Sequence, residues 1–448
     1  MSSVPNSTDS VLKFPLAVSC FAAQRFLDVL PMSDWTPVRA ARKSLYEAGE
    51  SAKKGFSTNT MMFGAFQFGD KAQSAFAALA TDAMSMKMLS PSYMRDAATS
   101  IAQGTADAYD AVTSAHARSL LKEQFQNTGD VISYVNHVDA PTELSADGTY
   151  PLADRVADCY SRGDYPALWL VEGLGERYAH AWLAADPNLT NLFTQGEGTT
   201  LPEKTLLMMH AGAGITFAKH EIDALTPWSA DADVRSALAR FVDLCRRNSM
   251  PGYEGAALES LGLVTRTWYP QLVSLITSHL LAVDANAVEF FWHGAGRAMY
   301  FSPMYMLPGL SPWDAADQEP PDDTARLNAR AGVAWAFTIV NVRQPGIAEQ
   351  FLRLKASRVR GNGGYTNGLC SALIMASDMV PGHQYVKEFC QFAPDAAETS
   401  LANAWERHIG HDLQTRIDDY RRMLKAHHQL GEVFRYHPLP QFVGDLEL

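Results

Sequence analysis

VEFFWHGAGRAMYFSPMYM (Val288–Met306) and TARLNARAGVAWAFTIVNV (Thr324–Val342), separated by a Pro/Asp-rich break, decide the fold. Each is an apolar run dotted with small residues, too long for a strand and without period-two alternation, so both predict buried helices. Glycine inside a helix costs about 0.5–1 kcal/mol relative to alanine. Gly294, Gly296 and Gly332 therefore need a compensating gain, either close approach of a neighbouring helix or room for a ligand.

The pattern recurs upstream. LWLVEGLGERYAHAWL (Leu168–Leu183) matches the first run, with Gly173 and Gly175 in the places of Gly294 and Gly296. TLLMMHAGAGITFA (Thr205–Ala218) matches the second, with Gly212 for Gly332, and YEGAALESLGL (Tyr253–Leu263) pairs with YTNGLCSALIM (Tyr365–Met375). The matches keep their order at a spacing of about 120 residues, which predicts an internally duplicated, all-α helical-repeat body. Within it, small-residue helices lie inside and amphipathic helices such as Asp231–Arg247 and Pro345–Arg358 lie outside. A fainter copy starts at Glu47 (EAGESAKKGF).

The expected organisation is a disordered tail at residues 1–10, an N-terminal helical part at 11–150, and helical units at 151–270 and 271–390. A charged C-terminal helix and tail occupies 391–448, and the whole forms one continuous body. The polar, turn-rich HVDAPTELSADGTYP (137–151) is the boundary before the duplicated part. Asn59–Ala80 reads as a further small-residue helix, with Met and Phe for a cavity wall or plain core. The connections Asp186–Pro202 and Pro303–Asp323 are long for a compact protein and are expected as lids or pocket rims.

At 47% hydrophobic and 19% charged residues, the 448-residue chain has a globular composition, and no apolar run reaches a bilayer-spanning length. The Phe14–Ala23 stretch is too short and poorly flanked for a secretory signal. Five widely spaced cysteines, an odd number without zinc-type pairing, suit reduced thiols and a cytoplasmic setting. A net charge of −12 with no basic stripe argues against a nucleic-acid partner.

Glu172, His210, Glu254 and His293 each stand just before the glycine or alanine-glycine that marks a small-residue helix. Buried ionisable groups must be paired, neutralised or used. If the four converge they form acid/base groups or a metal site of the kind helical bundles build, for a divalent metal such as iron. The plain alternative is that each bonds a neighbouring helix, and no HExxH or ExxH pair accompanies them. Arg297, and likewise Arg177, either pairs with a nearby glutamate or orients a substrate carboxylate or carbonyl. RVRGNGGYTNG (Arg358–Gly368) reads as a connection, or as an anion cradle before a helix. GxSxG elbows, papain-like cysteine settings and P-loops are absent.

GYEGAAL (Gly252–Leu258), MHAGAGITFA (Met209–Ala218), HGAGRAMYF (His293–Phe301), RAGVAWAF (Arg330–Phe337) and KASRVRGNGGYTNGLC (Lys355–Cys370) resemble the UnbL-like proteins of enediyne and polyketide gene clusters. RKSLYEAGESAKKGF (Arg42–Phe56) is similar to that family's N-terminal glycine-containing helix. The acidic Trp313–Thr324 loop and the charged C-terminal helix depart from the pattern. The resemblance implies natural-product biosynthesis as a setting and brings no catalytic residues with it. The expectation is therefore an accessory or tailoring enzyme, metal-assisted if the four residues bind one, that holds a hydrophobic, polyketide-like intermediate in an internal helical cavity lined by Met and aromatic side chains. The competing expectations are a non-catalytic carrier using the same pocket and a helical-repeat scaffold for a protein partner.

Overall fold

The computed structural model describes residues 115–301, 311–359, 363–410 and 412–437, all within one compact unit spanning 111–302 and 307–448. The expected Asn59–Ala80 helix, the Glu47 copy, residues 303–310 of the second long connection and 360–362 of the glycine loop lie outside the described residues. The fold is all-α, without a strand among the described residues. None of their helices is long and apolar enough to cross a membrane.

Helix α1 (Ala115–Asn136) leads through the 137–151 turns to α2 (Leu152–Ser161). Then come α3 (Asp164–Ala185), α4 (Glu203–Ile222), α5 (Asp231–Asn248), α6 (Glu254–Trp268), α7 (Val273–Val283) and α8 (Ala285–Phe301). The second half holds α9 (Ser311–Gln318), α10 (Asp323–Val340), α11 (Pro345–Val359) and α12 (Gly364–Met379). Three helices follow, α13 (Gln384–Gln391), α14 (Thr399–His408) and α15 (Leu413–Ala426).

The six small-residue helices pack in one row, α3 on α4, α4 on α6, α6 on α8, α8 on α10 and α10 on α12. Glycine makes each crossing possible. A Cβ placed on Gly212 of α4 would sit 1.9 Å from the Glu172 carbonyl oxygen of α3, and one on Gly262 of α6 only 1.8 Å from that of Phe291 in α8. Gly296 against Ala329 and Gly368 against Ala331, each at 2.1 Å, repeat the arrangement further along. With no side chain between them the backbones touch, and hydroxyls bridge them: Ser260 donates to the Ala211 carbonyl of the neighbouring helix at 2.7 Å. This contact is the compensation for glycine's helix cost.

The row curls, so that early and late members meet. Helix α12 touches α4, and the Tyr165 hydroxyl of α3 donates 2.7 Å to the Val340 carbonyl at the end of α10. Helix α1 packs on α3, where Gly173 faces Val135 and Val138, so the 137–151 stretch is a connection inside the unit. Helix α5 turns Val234, Leu238, Phe241 and Cys245 inward and its charged residues outward, as its period predicts.

The sequence pattern is read as small-residue helices crowding around a common internal cavity; at the crossings the described residues show close contact instead. Here the glycines bring helices together, and side chains occupy the space between. Trp169, Met208, Met209, Trp292 and Trp335 are at most 1% exposed. A groove of about 290 Å³ is walled by Val156, Tyr160, Thr200, Leu201 and Lys204. The Asp186–Pro202 connection supplies part of its rim.

Candidate functional site

Four ionisable side chains meet in the interior, all at most 2% exposed. Glu172 comes from the middle of α3, Glu259 from α6, and His293 and Arg297 from α8, where four-residue spacing puts both on one face. Arg297 forks between the carboxylates, with Nη2 donating 2.9 Å to Glu172 Oε1 and Nη1 donating 2.9 Å to Glu259 Oε2. Glu259 uses its other oxygen to hold His293, Oε1 to Nδ1 at 3.0 Å.

Two aromatic side chains, Trp335 and Phe434, close the cluster. The Arg297 guanidinium lies 4.5 Å from the centre of the Trp335 ring and 5.6 Å from that of Phe434. Phe434 meets His293 edge to face at 6.0 Å and packs on Trp335 at 5.5 Å.

Burial pushes the Glu172 carboxyl above its usual range, against the pull of Arg297. Burial also holds the His293 imidazole below its usual value, and the Glu259 hydrogen bond offsets only part of this. For Arg297 burial works downward, but the two carboxylates prevail and raise it. Burial thus pushes Glu172 and His293 toward their neutral forms, the direction a water-free site favours. A carboxylate can only accept, so neutral His293 carries its proton on Nδ1 and a lone pair on Nε2. That Nε2 is buried and has no hydrogen-bond partner among the described residues. Leaving such an atom unmatched costs about 1–3 kcal/mol.

Of the residues the sequence singles out, Glu172, His293 and Arg297 come together, and His210 and Glu254 do not join them. His210 stacks between Phe193, at 4.1 Å, and Tyr253, at 5.2 Å. Its Nδ1 bonds the Leu206 carbonyl at 2.6 Å and its Nε2 accepts from the Met250 amide at 3.0 Å. Glu254 is the first residue of α6 and accepts from the Gly252 amide at 2.9 Å, a helix-start role. The metal reading of Glu172, His210, Glu254 and His293 is therefore corrected. No three His, Cys, Asp or Glu residues are grouped to hold a metal ion among the described residues. The physical reason is that His210 and Glu254 are tied to backbone groups elsewhere, while the Arg297 guanidinium fills the space between Glu172 and Glu259. Arg297 is likewise committed to glutamates through both terminal nitrogens, so it positions Glu259 and does not reach for a substrate. Arg177 is half-buried near Tyr150.

Glu259 is the member that sequence reasoning missed. A usable sign was present: Glu259 is flanked on both sides by apolar and small residues deep in its helix, whereas Glu254 follows Pro251-Gly252, a helix-start pattern. The described cysteines are free, and burial pushes Cys159, Cys370 and Cys390 thiols upward, away from reactivity. No protein-family model, curated protein or solved structure matches the chain.

Proposed function

We propose that this protein is a tailoring enzyme of specialised metabolism that acts on a hydrophobic, carbonyl-bearing intermediate by general-base catalysis at His293. The observation that carries the reading is the unmatched Nε2 of His293, beside an Nδ1 held by a buried carboxylate. That pairing fixes the tautomer and steadies the imidazolium that forms when Nε2 takes a proton from substrate carbon or hydroxyl. Arg297 keeps Glu259 in place. Trp335 and Phe434 supply apolar walls of the kind a polyketide-like ligand prefers. The resemblance to UnbL-like proteins supplies the biosynthetic setting.

The test is exchange of the chromosomal copy for His293→Asn, followed by mass-spectrometric comparison of culture extracts. A general base contributes roughly 10²–10⁴-fold to rate, so one product should fall away and its precursor should build up. An unchanged metabolite profile with normally folded variant protein would overturn the proposal.

A further inference from the structure

The groove between α2 and the start of α4 shares no residue with the His293 cluster. Along α2, Ala153, Val156, Ala157 and Tyr160 recur at intervals of three and four and form one apolar stripe, about 10 Å long at 1.5 Å per residue. Leu152 and Cys159 are buried on the neighbouring side of the helix, and Ala153 and Ala157 face outward. Exposed positions of an amphipathic helix ordinarily carry polar side chains. Two alanines one turn apart instead keep this wall low and apolar, while Arg155 and Asp158 are engaged elsewhere, with Asp139 at 3.2 Å and Arg162 at 3.0 Å.

The facing wall is the end of the Asp186–Pro202 connection, and it is pinned. The Glu197 carboxylate accepts from the Tyr150 amide at 2.9 Å, and the Thr200 hydroxyl donates 2.7 Å to the Glu197 carbonyl. Such a groove is in place before anything enters it. Its cation is Lys204 of α4, whose ammonium lies 3.6 Å from the centre of the Tyr160 ring. No carboxylate is within ion-pair distance of Lys204 among the described residues, and the adjacent Glu203 is bonded to Lys425 at 3.0 Å. Pro202, at the cap position, offers the first amides of α4 no side-chain acceptor, so the helix start adds to the positive field of Lys204. In a chain of net charge −12, an ammonium without an acidic partner above an apolar stripe favours an anion that carries a hydrocarbon tail.

We propose that this groove binds a medium-chain carboxylate, with its tail along the α2 stripe between Val156 and Leu201 and its carboxylate on Lys204 Nζ. The proposal does not depend on His293 as a reacting group. Isothermal titration calorimetry of the full-length protein with decanoate tests it. One decanoate should bind per chain, and decanol and acetate, each lacking one half of the ligand, should bind roughly ten-fold more weakly or not at all. Lys204→Met, which keeps a stem over Tyr160, should weaken decanoate roughly ten-fold and leave decanol unchanged. Ala157→Trp, at an exposed position, fills the groove and should abolish decanoate binding. Absence of decanoate binding, decanoate binding that either variant leaves unchanged, or equal affinity for decanol and decanoate would each overturn the proposal.

Discussion

His210 and His293 stand at matching points of two glycine-marked helices, and both are completely buried. Their surroundings differ in one respect. Both nitrogens of His210 are bonded to backbone groups, so it is a finished part of the packing. His293 is bonded through Nδ1 to the Glu259 side chain and has an Nε2 without a partner among the described residues. Burial and position alone therefore do not separate a structural histidine from a reactive one. His383 and His408 are also buried with Nδ1 bonded and Nε2 unmatched, so what sets His293 apart is the glutamate on its Nδ1.

The largest expected effect comes from removing the cation that organises the His293 side. Arg297→Met takes the guanidinium from both Glu172 and Glu259 and breaks a buried ion pair, which should cost about 3–5 kcal/mol in urea unfolding. A loss below 1 kcal/mol would mean the two histidine environments are energetically alike. Next is the acid response of the His210 side. Burial pulls His210 down to about 4, so the unfolded chain takes up its proton first as pH falls. Its stabilising contribution is complete above about pH 6.5 and is lost on the way down to about 4, a change on the order of 3 kcal/mol. His210→Phe should make the stability profile across that window shallower. His293, also held low, and His408, pulled down to about 4, retain the same sign of slope. The smallest effect belongs to Glu172. Because burial favours its protonated form, Glu172→Gln should change stability by less than about 1 kcal/mol, while Glu259→Gln costs clearly more. Equal losses in denaturant melts would show both carboxylates charged.

Helix class and the places where helices touch were readable because glycine and alanine at fixed spacing in apolar runs fit little besides closely packed helices. The pattern gives position along a helix but not direction around it. It could therefore nominate Glu172, His293 and Arg297 without revealing that His210 faces elsewhere. It also could not tell a hollow from close contact, since both call for small residues. Glu259 was masked by aligning helices on their glycines and not on depth from the helix start. Trp335 and Phe434 carried no local sign at all: an aromatic residue in an apolar helix, and another in a short turn far along the chain, look like ordinary core.

The helix row also bears on how the chain reaches its native state. Most members settle against a helix close by in the sequence, so each addition closes only a short loop and costs little extra entropy. The Glu172–Arg297 link spans 125 residues and can form only after α4, α6 and α8 are in place. It acts as a late fastening: losing it should speed unfolding far more than it slows folding.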